Sequence, residues 1–158
     1  MVTVHIWSFR GKREAWGHAS MHVGQAYISW WPMGAGRDRS KIHSDIYSVH
    51  PIMGRNFADD IRDEGIPPNE TIRINGLDEG RITTWWERIA PWSASRSGPP
   101  SMPWSTLDWN CSKVVATALR EGGGDKYASW PTTWNVVWTP NDVRDYADSI
   151  VRGMAVHQ

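Results

Sequence analysis

Cys111 is the residue of this chain with the clearest potential for chemistry, because the surrounding pattern places it at the start of a helix. The apolar residues that follow are spaced to form one buried helical face; they are Val114, Val115, Ala118 and Leu119, and glycines at 122–124 end the helix. The first helical turn has free N–H groups and the positive end of the helix dipole, which lower the pKa of a thiol. These N–H groups, with the Asn110 side chain, could bind the oxyanion of a tetrahedral intermediate. Cys111 is therefore a candidate nucleophile, and a buried, inert cysteine is the alternative.

A thiolate nucleophile needs a base within hydrogen-bond distance and a third group that orients the imidazole. The candidate bases are His5, His18, His22, His43, His50 and His157. We predict His18 as the base, because a strand holds it rigidly and the small neighbours Gly17 and Ala19 allow close approach. Ser29 lies on the neighbouring predicted strand and the same face, so it is the candidate that orients His18. A plain strand serine is the alternative for Ser29.

The residue types give little support to a metal or a cofactor. A single cysteine excludes both an internal disulfide and a cysteine-rich zinc site. His18 and His22 are four residues apart on a predicted strand, which separates them by about 13 Å. A four-residue spacing of histidines would suggest a metal site only on a helix, where residues four apart share a face. We therefore expect no metal and no cofactor.

The composition of the chain restricts the other function classes. The 158 residues carry 17 Lys and Arg against 17 Asp and Glu, and the net charge of zero argues against nucleic acid or an anionic membrane as the main partner. There is no apolar run long enough for a membrane span, so we expect no transmembrane segment. The length predicts one domain over residues 1–158. The 12 tryptophans predict a Trp-packed core, or else an aromatic groove.

The elements that must position these residues can be predicted from periodicity and turn residues. Alternation predicts a strand over 2–9, followed by a hairpin of 16–23 and 26–31 around Gly24 and Gln25. A two-residue turn there pairs Ser20 with Ser29. The span 32–68 is predicted as mostly loop with a short helical turn near 57–62. The remaining predictions are a strand over 71–75, a helix from 78 that Pro91 ends, a loop over 93–103 and a last helix over 141–152.

Four segments, in this order, resemble the circularly permuted branch of the papain-like cysteine hydrolases. This branch includes the NlpC-type peptidoglycan peptidases and their relatives around lecithin:retinol acyltransferase, and the resemblance extends to bacterial toxin domains, among them type VI secretion effectors. The segments are Trp16-Gly17-His18-Ala19-Ser20-Met21, Tyr27-Ile28-Ser29-Trp30-Trp31-Pro32, Asn110-Cys111-Ser112-Lys113-Val114-Val115 and Trp138-Thr139-Pro140-Asn141-Asp142-Val143.

The resemblance implies an α+β, papain-like fold in which a small antiparallel β-sheet packs against the helix that bears the nucleophile. It implies Cys111 as nucleophile, His18 as general base and Ser29 as the third polar residue. The chain departs from the NlpC pattern because Asn110, rather than aspartate, precedes the cysteine. The Asn-Cys pair is closer to the permuted acyltransferase and lipase-like relatives.

The function that we expect from the resemblance is a cysteine hydrolase that forms a thioester acyl-enzyme. Its expected substrate is the peptide part of peptidoglycan, and its expected role is that of a bacterial toxin or effector. Such a protein would be cytoplasmic before export by a route that needs no signal peptide, and would act in the periplasm of a target cell. An immunity protein or a secretion-apparatus carrier would be its protein partner.

Two other functions remain open at this point. An acyltransferase or phospholipase that acts on lipid esters would show an apolar groove that accepts lipid. A non-catalytic binding module would grip its ligand with the Trp-rich surface, and Cys111 would then be structural.

Overall fold

A computed structural model describes residues 1–10, 16–32, 48–49, 51–90 and 103–157, which form a mixed α+β fold. The main sheet is antiparallel, with strand order β3-β2-β1-β7, and consists of β1 (Val2–Trp7), β2 (His18–Val23), β3 (Ala26–Ser29) and β7 (Glu70–Ile74). Two short pairs join β4 (Trp31–Pro32) to β6 (Pro51–Ile52) and β5 (Ser48–Val49) to β8 (Trp104–Ser105). The α-helices of the described residues are α1 (Phe57–Glu64), α2 (Glu79–Ile89), α3 (Cys111–Glu121) and α4 (Pro140–Val156).

The two faces of the main sheet differ in polarity because the side chains of each strand alternate. Val4, Ile6 and Met21 lie on the apolar face and belong to one hydrophobic cluster with residues of α2, α3 and α4. The opposite face carries the histidines and serines of β2 and β3 and contacts α1. The hairpin has the predicted register, with Ser20 opposite Ser29, whereas the first strand ends at Trp7 rather than residue 9.

The helix that carries Cys111 has the predicted start. Asn110 is its N-cap, and the Asn110 side chain accepts a hydrogen bond of 2.8 Å from the N–H of Lys113. The last helix is longer than predicted: it begins at Pro140, with Thr139 as its cap, and extends to Val156. Buried tryptophans contribute to the core as predicted; Trp30, Trp86 and Trp138 are examples.

The span 32–68 contains a well-formed helix, α1, where only a short helical turn is predicted. Asn56 and Asp59 form a reciprocal capping box at its start, and Gly65, with a φ of 75°, ends it. The hydrophobic pattern conceals α1 because two of its buried positions are the charged Asp60 and Glu64. Residues 33–47 and most of the loop predicted over 93–103 lie outside the described residues.

None of the helices in the described ranges combines the length and the apolar character that crossing a membrane requires.

Candidate active site

His18 is placed beside Cys111 by the first residues of β2. The His18 side chain is buried; its imidazole interacts with the Cys111 sulfur, and so does the backbone N–H of Ala19. Gly17 makes this placement possible: its φ is +80°, and a Cβ there would lie 2.3 Å from the carbonyl oxygen of Trp7. The structure therefore brings together the predicted nucleophile and the predicted base.

The far side of the His18 ring contacts a carboxylate. The Nε2 atom of His18 lies 2.9 Å from Oδ2 of Asp60 and 3.2 Å from Oγ of Ser29. An ionised carboxylate only accepts hydrogen bonds, so Nε2 carries the proton that it donates to Asp60. The remaining ring nitrogen, Nδ1, is the one left for Cys111. Cys111, His18 and Asp60 thus form a continuous line of interacting side chains.

Asp60 is fully buried and accepts hydrogen bonds from several side chains besides His18. Ser29 donates to Oδ1 at 3.0 Å, and Tyr27 donates to Oδ2 at 2.5 Å. The guanidinium of Arg55 donates to Oδ1 from Nε at 2.7 Å. Burial would raise the pKa of Asp60, but His18, Arg55 and Tyr27 outweigh burial and hold that pKa well below its usual range. Asp60 is therefore ionised. Ser29 contacts both the His18 ring and the Asp60 carboxylate.

Sequence reasoning missed Asp60 because α1 lies in a span without hydrophobic periodicity. One signal was available: Phe57, Asp60, Ile61 and Glu64 have the i, i+3, i+4, i+7 spacing of one helical face. The Asn56 capping box marks the start of that helix. Two carboxylates on the inward face of a capped helix indicate a buried polar site.

The site favours a thiolate and an imidazolium over two neutral groups. Burial would raise the pKa of the Cys111 thiol, but His18, the Ala19 N–H and the Ser112 hydroxyl outweigh burial and lower it. Burial would likewise lower the pKa of His18, but the charges of Asp60 and Cys111 raise it. Both shifts favour transfer of the thiol proton from Cys111 to His18.

This charge state predicts the pH dependence of Cys111 alkylation. Only the thiolate reacts with iodoacetamide, so the midpoint of the rate profile should lie below the value of about 8.5 for an ordinary cysteine. In His18→Ala the thiol stays buried but loses the imidazolium, and the midpoint should rise to the ordinary value or above. The urea-unfolded chain is the control, and equal midpoints for the folded and unfolded chains would contradict an activated thiolate.

Asn110 has a different role from the oxyanion contact expected of it. Its Nδ2 donates to the carbonyl oxygens of Thr106, at 3.1 Å, and Trp138, at 2.9 Å, so both amide protons are in use. Its Oδ1 caps α3. Helical geometry gives the first-turn N–H groups of Cys111 and Ser112 no carbonyl partner within α3, so these two groups are the candidate oxyanion donors.

An apolar groove of about 470 Å³ opens beside Cys111. Its apolar lining includes Phe9, Trp16, Trp104, Leu107, Val137 and Trp138. A smaller pocket of about 50 Å³ shares Trp16, Trp104 and Cys111 with the groove and also reaches His18. Cys111 thus borders an apolar groove on one side and the buried polar line on the other.

The other histidines lie elsewhere in the fold. His5 and His22 hydrogen-bond each other at 2.9 Å across β1 and β2, and His157 follows α4. His43 and His50 lie outside the described residues. Within the described ranges, His, Cys, Asp and Glu side chains form no cluster of three or more that could hold a metal ion.

Half of the chain is similar to part of two proteins described as toxins. It is 30% identical over 82 residues to the Multifunctional-autoprocessing repeats-in-toxin of Vibrio vulnificus, and 30% identical over 81 residues to the protein of the same description from Vibrio cholerae serotype O1. Each match covers 50% of this chain but only 1% and 2%, respectively, of the relative. No solved structure matches.

A family model, the IcsB middle domain, matches residues 48–158. The match includes Asp60 and Cys111, and it begins after the strands that carry His18 and Ser29. Because it spans more than half of the chain, this chain belongs to the IcsB middle domain family.

Proposed function

We propose that this chain is a cysteine acyl-transfer enzyme with a papain-like active site. Cys111 is the nucleophile, His18 carries the proton, and Asp60 orients His18 and balances its charge. The observation that carries the proposal is the buried line from Asp60 through His18 to the Cys111 sulfur, which lies at the start of α3. A structural cysteine would not require a buried imidazolium and carboxylate beside it.

The proposed reaction has two halves. The Cys111 thiolate attacks the acyl carbonyl, and the first-turn N–H groups of α3 stabilise the oxyanion. The intermediate then collapses to a thioester on Cys111, and the leaving group takes the proton from the imidazolium of His18. Neutral His18 next removes a proton from the acceptor as it attacks the thioester, and Cys111 leaves as thiolate. The net charge of the site is the same after each half, and the second half regenerates the thiolate and the imidazolium.

The groove supports an apolar acyl group rather than a peptide as the part of the substrate that binds beside Cys111. Its lining includes three tryptophans, one leucine and one valine, and apolar side chains of this kind stabilise a hydrocarbon chain by excluding water. This is the feature by which an acyltransferase or lipase differs from a peptidoglycan peptidase. We therefore propose an acyl ester or thioester as the donor, and water or an amine as the acceptor.

We further propose that this chemistry serves a bacterial toxin or effector. The support is membership in the IcsB middle domain family and the similarity to proteins described as repeats-in-toxin. Because the chain spans 2% or less of those relatives, their activities do not define its own. Delivery into a target cell, and an immunity or carrier protein as partner, belong to the same proposal.

A chain-length series tests the proposed donor. Thioesters from acetyl to palmitoyl should react with increasing kcat/KM as the acyl chain fills the groove. Val137→Trp should obstruct the groove and lower kcat/KM for palmitoyl by about tenfold or more, because one lost apolar contact of this size corresponds to roughly 1–3 kcal/mol. The acetyl donor should be affected little.

Val151→Trp is the matched control, because Val151 is as exposed as Val137, at 38% against 39%, but lies on α4 away from the groove lining. Equal kcat/KM for all acyl-chain lengths would refute an acyl-chain groove.

Expression of the protein in the bacterial periplasm and in the cytoplasm, followed by analysis of wall peptides, tests the peptidoglycan substrate. Shortened wall peptides that depend on Cys111 would support the peptidase instead.

A further inference from the structure

Arg55 is a buried cation one residue before the N-cap of α1, and its side chain is only 4% exposed. Two of its nitrogens approach the same oxygen of Asp60: Nε at 2.7 Å and a terminal nitrogen at 2.6 Å. The terminal nitrogen also lies 2.9 Å from Oδ2 of Asp63. The guanidinium packs over the ring of Trp31, at 4.6 Å from the ring centroid. These contacts fix both the position and the plane of the guanidinium.

Arg55 and His18 contact different oxygens of the Asp60 carboxylate. Arg55 binds Oδ1 while His18 binds Oδ2, so a rotation of the carboxylate would break both interactions. Ser29 and Tyr27 bind the same two oxygens, but they are neutral and hold a buried anion less firmly than a cation does. Arg55 is thus the group best able to keep Oδ2 directed at His18.

Arg55 also completes the charge balance of the site. The Cys111 thiolate and the buried Asp60 carboxylate are two negative charges, and His18 supplies one positive charge. Arg55 supplies the second, so the four groups sum to zero. The buried Glu64 carboxylate pairs with the partly exposed Arg10 at 3.6 Å, and that pair is neutral by itself. Asp63 faces Arg55 from the outer side of α1, and its side chain is 18% exposed.

We infer that Arg55 is a positioning residue of the proposed acyl transfer, which orients Asp60 toward His18 and supplies the charge that permits a thiolate at Cys111. The inference rests on the proposed function for the reaction itself. The part that concerns charge predicts only how readily Cys111 ionises, so it does not depend on the identity of the substrate.

Two variants separate charge from orientation. Arg55→Gln removes the positive charge and leaves a net charge of −1 in the buried site, so the thiolate forms less readily. Its alkylation midpoint should rise by about one pH unit. Arg55→Lys keeps the charge but lacks the planar fork that fixes the carboxylate. Its midpoint should remain within a few tenths of a unit of wild type, while kcat falls by about tenfold.

Asp63→Asn is the matched control, because it removes the other carboxylate partner of Arg55 and leaves the contact between Arg55 and Asp60 in place. Its midpoint should move by less than the midpoint of Arg55→Gln and in the opposite direction, since a negative charge is lost. Near-UV circular dichroism and urea unfolding identify the conditions under which each variant is folded. Alkylation is measured on the full chain, in which Cys111 is the only thiol.

The outcomes distinguish this inference from the proposed function. An Arg55→Gln midpoint equal to that of wild type would overturn the inference, and so would equal upward shifts in Arg55→Gln and Arg55→Lys, because the charge would then be irrelevant. An ordinary midpoint in the wild-type chain would instead remove the activated thiolate from the proposed function. A shift in Arg55→Gln that Arg55→Lys restores supports the inference even if no acyl donor reacts.

Discussion

Replacement of Cys111 by alanine is expected to abolish the proposed acyl transfer, with a loss of at least about 10⁴-fold in kcat/KM. The variant lacks the only atom of the site that can form the thioester, and neither His18 nor Asp60 can replace it. The wild-type chain incubated with an acyl thioester should gain the mass of one acyl group on the peptide that contains Cys111. Mass spectrometry of Cys111→Ala should show no such gain.

The fold should tolerate this change. Alanine is a better helix former than cysteine, and the change occurs at the first residue of α3. We expect the midpoint of thermal unfolding to stay within about 4 °C of wild type. Ser112→Ala is the companion variant. The Ser112 hydroxyl lies 3.9 Å from the Cys111 sulfur, and its removal should lower kcat/KM by less than about tenfold. Full activity in folded Cys111→Ala would leave the binding module as the better hypothesis.

Replacement of Asp60 by asparagine should lower kcat by roughly 10³ to 10⁴, the range that loss of the orienting carboxylate produces in comparable triads. An amide can direct its N–H at Nε2 of His18 and so favours the imidazole tautomer that carries its proton on Nδ1. That tautomer cannot accept the proton of Cys111. The alkylation midpoint of Cys111 should rise as well, because the imidazolium loses the carboxylate that stabilises it.

The comparison with Ser29→Ala decides which residue is the third member of the proposed triad. Ser29 lies 3.2 Å from His18 but also donates to Asp60, so its loss should weaken the site by less than about tenfold. Asp60→Asn leaves Arg55 with Asp63 as its remaining acidic partner, and urea unfolding at the assay temperature tests whether the variant is folded. A larger loss in Ser29→Ala than in folded Asp60→Asn would assign the third position to Ser29, as predicted from the resemblance.

The charge network around Asp60 connects the predictions for Cys111 and Arg55. The Asp60 carboxylate favours the protonated form of His18, and His18, Arg55 and Tyr27 in turn lower the pKa of Asp60. Loss of any of the charged groups should therefore appear first in the alkylation profile of Cys111. The single cysteine of the chain makes that profile unambiguous.

Local patterns in the sequence were sufficient to predict the elements that hold Cys111 and His18. The helix start at Cys111 follows from the Asn110 cap and the apolar face after it, and both are features of neighbouring residues. The hairpin register follows from a two-residue turn and a side-chain period of two, which place Ser20 opposite Ser29. These features depend on residues close in the chain, and the structure agrees with them.

The tertiary structure alone decided what surrounds those two residues. Asp60 lies 42 residues from His18 in the chain, and its helix has charged residues where a hydrophobic pattern would have marked the buried face. The apolar groove is assembled from β-sheet, loop and helix segments that no local pattern relates. The Asn110 side chain is not available to bind an oxyanion, because its amide protons are donated to the carbonyl oxygens of Thr106 and Trp138. Hydrogen-bond partners and cavity walls depend on how distant segments pack, whereas caps, turns and periodicity are properties of the local chain.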